Sequence, residues 1–358
     1  MRLGVAWTPG QNAQYRAFQP MRAMARRGHT IVWPPDESGE LHLPRLLTCD
    51  VVHVFRRSEQ DTRQVVRELA RGGVPFTFDN DDDLTAVPER PGRGVDRRSH
   101  FAATVRMARA ARIFTTTTDV LAAKYRLAGV KRIEVIGNYL VPEAVRPRLP
   151  HDGIVVGWVA GKEHRIDTDR LRIAETLRRL VAKHPDVRVE CIGVDLALPE
   201  RYRHDVHVDF DALPGRIGDF DIGLAPLTDI SFNRARSDIK LKEYAASGVP
   251  WLASAVGPYV GLGEEHGGLL VSDARWFDAL DRLVTDHSER ERLGRNALAW
   301  AQTQTMAAAA DQWEAVFKEA AGGGGGRRVA TTSTGRVIAV RPRRRRRVRE
   351  GSGGTPGA

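Results

Sequence analysis

Two successive series of short apolar runs alternate with amphipathic segments, and a proline- and arginine-rich stretch separates them. That pattern limits the chain to a pair of α/β units. In the first series, residues 3–7, 30–33, 51–55, 74–78, 112–115 and 132–136 read as strands, with helical periodicity at 15–27, 60–71, 101–111 and 120–127. Short apolar strands joined through helices imply a parallel sheet covered on both faces, because each parallel connection must cross back over the sheet. After Asn138 the stretch VPEAVRPRLPHDG breaks the pattern and reads as a linker. The second series has strands at 154–158, 187–193, 207–210, 221–226 and 250–254, and helices at 168–183, 237–247, 276–285 and 288–302. Gly267 and Gly268 read as a turn before one more short strand. Two doubly wound sheets place a cleft between their strand C-terminal ends, where open α/β sheets take ligands.

A chain of 358 residues that is 42% apolar has enough material for two cores. Its net charge of +10 is concentrated at one end: residues 322–358 hold ten arginines and one glutamate, leaving 45 basic against 44 acidic residues elsewhere. The folded part therefore has no basic excess, and no specific nucleic-acid partner is expected. The segment 322–358, rich in glycine and arginine, has too few apolar residues for a core and is expected to be disordered. Its arginines suggest, as a hypothesis, weak attachment to an anionic membrane; nonspecific contact with nucleic acid and an arginine-rich extension without a role are the alternatives. Equal vesicle flotation of the full chain and a chain lacking this segment would remove the membrane idea.

Cys49 and Cys191 sit in or beside apolar runs without metal-ligand spacing and read as buried thiols of a reducing compartment. The opening apolar run lacks the form of a secretory leader. No run approaches the roughly 18 apolar residues of a membrane span. The expectation is a cytoplasmic protein, peripheral to the inner face of the membrane if the arginines engage lipid.

The segment 232–259, FNRARSDIKLKEYAASGVPWLASAVGPY, carries the strongest chemical signal. Ser237 is placed to cap a helix whose apolar face is Ile239, Leu241, Tyr244 and Ala245, with Gly248 and Pro250 ending it. Free amides and the positive end of the dipole at such a helix start form an anion site. Lys240 and Glu243, three residues apart, share a face and would set a cation and a carboxylate beside the same ligand. An ordinary exposed i,i+3 ion pair is the plainer alternative.

This segment resembles the donor-binding motif of the two-domain, GT-B type glycosyltransferases, in particular the group 1 (family 4-like) retaining enzymes. In that family two glutamates with seven residues between them bracket the motif, followed by small residues and Gly-x-Pro. Glu243, Ala245, Ala246, Gly248 and Pro250 match its second half, whereas Ala235 stands where the first glutamate belongs. The resemblance spans about the first 320 residues and also covers Tyr15, Arg16, Pro20, Gly28 and His29.

It implies two Rossmann-like domains facing across a cleft: an acceptor-side domain at 1–148, a nucleotide-sugar domain at 149–305, and a helix at 306–321 returning to the first. It further implies ribose contact by Glu243, and diphosphate contact by Lys240 and by the amides from Arg236 through Ser237 to Ile239. Sugar contact by the first glutamate is missing. The turn GWVAGKEHRID falls where the family's second domain holds phosphate. There Gly161 allows close backbone approach, and Lys162, with Arg165, would neutralise the departing diphosphate. Solvated loop charges are the alternative for both cations.

On the acceptor side, Gly10 sits in the loop after the first strand, with Tyr15 and Arg16 beyond it; a generic helix start is the plainer account of those two. The run FDNDDDL ends a predicted strand and offers Asp82 and Asp83 as acceptor contacts or structural caps. Asp79 and Asp81 form the Asp-x-Asp pattern that would hold magnesium or manganese in metal-dependent transferases. A metal-independent site is expected unless that pair acts as such a motif. No G-x-G-x-x-G fingerprint or P-loop is present, which disfavours nicotinamide, flavin and P-loop chemistry. The implied activity is transfer of a sugar from a nucleoside diphosphate sugar to a glycan, lipid-linked or small-molecule acceptor. The alternatives are a nucleotide-sugar epimerase on the same fold and, given Ala235, a catalytically silent partner protein.

Overall fold

The computed structural model describes residues 1–7, 13–35, 42–58, 60–87, 96–145 and 151–322. Gly10 and the segment 323–358 lie outside the described residues. The first series forms β1 (Arg2–Trp7), β2 (Thr30–Val32), β3 (Val51–Phe55), β4 (Phe76–Asp79), β5 (Ile113–Thr116) and β6 (Ile133–Val135), in the order β2-β1-β3-β4-β5-β6. The second forms β7 (Ile154–Ala160), β8 (Val187–Gly193), β9 (Tyr202–Asp205), β10 (Ile222–Ala225), β11 (Trp251–Ser254) and β12 (Gly268–Val271), in the order β12-β11-β10-β7-β8-β9. The pairings within both sheets are parallel. The strands in the middle are buried on both faces: every residue of β3 and of β7 is buried, which is why they read as apolar runs, interrupted in β3 by His53.

Side-chain caps set several helix starts. Asp96 accepts from the Ser99 amide at 3.0 Å, Thr118 from Leu121 at 3.3 Å and Asp286 from Glu289 at 2.8 Å. The helix Met306–Gly322 packs against the helix Gln19–Arg26 and against β3 and β4, with Ala309, Trp313, Val316 and Phe317 in the first sheet's core, so the chain returns there from the second sheet. The two crossings between sheets run side by side: Leu140 donates to the Gln304 carbonyl and accepts from the Met306 amide, both at 2.8 Å. Among the described residues no helix is long and apolar enough to cross a membrane.

Three expectations need correction. Residues 207–210 form a loop, not a strand; the edge strand is β9, whose polar sequence YRHD pairs with β8. The helix expected over 168–183 is two, Arg165–Arg170 and Ile173–Lys183, divided at Arg172, whose φ of 51° is left-handed. The helix expected to start at Ser237 is Ile239–Ala246, with Asp238 at its cap position.

Candidate functional site

In each sheet the chain starts at an interior strand, moves to one edge and then resumes on the other side, leaving a switch point between β1 and β3 and another between β7 and β10. A cavity of about 260 Å³ opens above the second switch point. The loops after β7, β8, β9 and β10 and the start of the helix Ile239–Ala246 line it, and Tyr15, Asp81, Asp82 and Asn138 close it from the first sheet.

Tyr244 fixes the helix Ile239–Ala246 on the sheet. Its ring lies over Gly223, where an added Cβ would come within 2.6 Å of it, and its hydroxyl donates to the Leu224 carbonyl at 2.7 Å and accepts from the Val159 amide at 3.1 Å. The helix start is thereby held at the mouth of the switch point. The amides of Ser237, Asp238, Ile239 and Lys240 donate to no atom among the described residues, and Ser237, Ile239 and Lys240 line the cavity at the positive end of the helix.

Lys240 donates to Glu243 Oε2 at 2.7 Å, so the expected shared face exists. Glu243 Oε1 accepts from the Tyr15 hydroxyl across the cleft. Burial first, and the neighbouring Glu243 charge second, push the Tyr15 pKa well above its ordinary value, so the phenol stays a donor. Lys162 is exposed on the cavity wall and makes no ion pair among the described residues. Arg236 reaches Glu163 at 3.5 Å and lies over the Phe232 ring. Ser237 is not a cap; its Oγ accepts from Asn138 Nδ2 of the first sheet at 3.0 Å.

Gly161, Lys162, Arg236, Ser237, Lys240, Glu243, Tyr15 and Asp82 therefore share one cavity, and three expected residues stand apart from it. Arg165 is exposed at the start of the next helix, away from the lining. Arg16 is fully buried: Nε and Nη2 donate to Asp79 at 3.1 and 2.6 Å, and Nη1 to the Ile136 and Gly137 carbonyls and Asn138 Oδ1. It is an internal brace of the first sheet, with no side chain to offer an acceptor. Asp83 is also buried, accepting from Lys124 and from Thr85 Oγ1 at 2.6 Å, and so caps its own turn.

The Asp-x-Asp pair does not converge. Asp79 is bound to Arg16 and Thr115, whereas Asp81 is bound to Arg56. Burial outweighs the Arg56 charge and raises the Asp81 pKa. Among the described residues no cluster of His, Cys, Asp or Glu is arranged to hold a metal ion.

From sequence alone Gly193 carries no signal, and His164 reads only as a further positive charge beside Lys162 and Arg165. Gly193, at the end of β8, has φ of 96°, and a Cβ there would lie 2.2 Å from the Ala160 carbonyl oxygen; only glycine lets this wall approach β7 so closely. His164, on the lining after β7, forms a buried pair with Asp167, Nδ1 to Oδ2 at 2.7 Å. A lone loop histidine carried no such signal, although the i,i+3 spacing of HRID was visible.

No protein-family model matches the sequence, and no curated protein sequence matches it. Solved structures do. Sucrose-phosphate synthase from Thermosynechococcus elongatus is 17% identical, with 89% of this chain and 98% of that one covered at a TM-score of 0.63. Anabaena HepE in complex with UDP-glucose is 12% identical, covering 88% and 99%, at 0.64. An alpha-glucosyltransferase in complex with UDP-glucose and DNA containing an abasic site is 10% identical, covering 89% and 99%, also at 0.64. The chain has the GT-B fold of these glycosyltransferases, two parallel α/β sheets facing across a cleft.

Proposed function

We propose that the protein is a glycosyltransferase that moves a sugar from a nucleoside diphosphate sugar, bound on the second sheet, to a hydroxyl presented from the first. The observation that carries this reading is the convergence of Ser237, Ile239 and Lys240, whose amides are free, with Lys162, Arg236 and Glu243 on one cavity. A diphosphate needs donors and positive charge, and a ribose needs a carboxylate to accept its hydroxyls. Both stand within one helical turn.

The transfer step breaks the bond between the anomeric carbon and the diphosphate oxygen, so negative charge grows on the leaving group. Fixed amides, with Lys162 and Arg236 beside them, stabilise that charge without reorganising. Glu243 holds the ribose, and the wall formed by Gly193, Val206, Val208 and Phe210 offers an apolar seat for the base. Tyr15 and Asp82 face the cavity from the acceptor side. Closing the two sheets together excludes water from the reacting bond. HepE and the alpha-glucosyltransferase were solved with UDP-glucose, which makes uridine the first base to test.

The test is thermal stabilisation of the purified protein by nucleoside diphosphates and their sugars. At a hundred times Kd a specific ligand stabilises by about 2.7 kcal/mol. Glu243→Ala should abolish that gain. Stabilisation undiminished in this variant would overturn the site assignment. A second reading, a catalytically silent relative, is favoured by Ala235, which is 1% exposed with its carbonyl taken by Thr118 and offers no carboxylate. Binding without turnover across a panel of acceptors would select it.

A further inference from the structure

We infer that His164, oriented by Asp167, accepts a hydrogen bond from a hydroxyl of the donor's sugar and supplies the sugar contact that Ala235 cannot make. The inference rests on the donor reading above. Asp167 is 1% exposed and takes three donors: the Thr228 amide at 2.7 Å and Asn233 Nδ2 at 2.8 Å on Oδ1, and His164 Nδ1 at 2.7 Å on Oδ2. A carboxylate so surrounded acts as an acceptor, so Nδ1 carries the proton and Nε2 the lone pair.

Burial, and then the nearby Arg236 charge, lower the His164 pKa and keep the ring neutral. His164 is 6% exposed and lines the cavity, and its Nε2 has no hydrogen-bond partner among the described residues. The ring is buried while Nε2 keeps contact with the cavity's solvent, so a ligand hydroxyl entering there can take water's place as its donor.

The identity of that partner follows from what a nucleotide sugar can donate. A diphosphate in its ionised form has no proton to give to Nε2. The ribose hydroxyls are assigned to Glu243, and the base, which carries N–H donors of its own, to the wall at Val206, Val208 and Phe210. The hydroxyl-rich part that remains is the transferred sugar, and a neutral acceptor suits a wall that also carries Lys162 and Arg236, where a further carboxylate would be drawn into an ion pair. Asn233, which holds Asp167, is two residues before Ala235. The network thus runs beneath the turn where the family's first glutamate would stand.

Isothermal titration of the full chain with UDP, GDP, ADP and TDP, and with a panel of their hexose conjugates, tests the assignment. His164→Asn keeps an amide donor toward Asp167 and deletes the acceptor at Nε2, whereas His164→Gln carries an amide to the Nε2 position. For the base that binds, His164→Asn should lose roughly tenfold in affinity for the nucleotide sugar, the worth of one hydrogen bond, with nucleoside diphosphate affinity and melting temperature unchanged. His164→Gln should recover most of the loss. Unchanged nucleotide-sugar affinity in His164→Asn, or a parallel fall for diphosphate and sugar conjugate, overturns the inference and leaves the donor reading standing. A wild-type chain that binds none of the ligands overturns both.

Discussion

Replacing Arg16 with methionine should damage stability and leave substrate affinity nearly alone, the reverse of what an acceptor-contacting residue would show. The guanidinium and Asp79 are each fully buried and paired through Nε and Nη2 at 3.1 and 2.6 Å, and the group also lies 5.1 Å from the centroid of the Trp313 ring. Methionine preserves much of the volume beneath Trp313 but strands the Asp79 carboxylate with Thr115 as its remaining side-chain donor at 2.5 Å. It also leaves the Ile136 and Gly137 carbonyls without this donor. Breaking one side of a buried pair costs about 3–5 kcal/mol. For a domain of this size, each kcal/mol moves the melting temperature by roughly 2–4 °C, so the expected drop is about 6–20 °C. Thermal unfolding of Arg16→Met, Asp79→Asn and the double variant forms a cycle in which the double variant should lose far less than the sum of the singles. Additive losses, or an unshifted melting temperature with a weakened acceptor, would refute the bracing role.

Three other outcomes follow from the geometry. Gly193→Ala should destabilise the chain by about 1–3 kcal/mol, since it combines a left-handed backbone with a carbonyl clash; denaturant midpoints check this. His53 is buried between Thr77 Oγ1 and the Arg16 carbonyl, both at 2.9 Å, and burial lowers its pKa. The unfolded chain therefore binds the extra proton, so stability is full above the ordinary histidine value near 6.5 and falls as pH drops below it; His53→Gln should flatten that slope, read by melting temperature against pH. Tyr15→Phe removes the donor to Glu243 Oε1 and should cost about 1.5–3 kcal/mol of apo stability. It should leave nucleotide affinity equal or weaker, and a gain in affinity would show that the phenol competes with ribose.

The parts of the fold that could be read from sequence are those whose environment is uniform. The runs 51–55 and 154–158 are apolar, apart from His53, because both of their faces are covered, and the helices at 276–285 and 60–71 show one apolar stripe because each has one buried face. β9 was hidden because an edge strand with partly exposed side chains needs no apolar pattern, while the alternating HVDF at 207–210 copies a strand although it lines a cavity. Side-chain roles failed where the partner is distant. Arg16 is 63 residues from Asp79, and Ser237 is 99 from Asn138. Nothing local distinguishes a buried brace from a cleft cation, or a cap from a hydroxyl held by the other sheet. Lys240 and Glu243 could be paired in advance because their contact is set by helical spacing.

The contacts between the sheets explain why the segment 231–243 would both bind ligand and sense closure. Lys124 reaches Ser231 Oγ at 3.1 Å, Thr118 the Ala235 carbonyl at 3.1 Å, Asn138 the Ser237 hydroxyl at 3.0 Å and Tyr15 the Glu243 carboxylate; each of these donors comes from the helices and loops around the first sheet. The same segment carries the free amides and Lys240. Any shift of one sheet against the other about the paired crossings at Leu140 and Gln304 therefore acts on the anion-binding row directly. An ionised carboxylate accepts about four hydrogen bonds, so Glu243 has room for two ribose hydroxyls beside Lys240 and Tyr15. A nucleotide would then join this bridge between the sheets, and the closed arrangement that protects the reacting bond would be stabilised by the ligand that requires it.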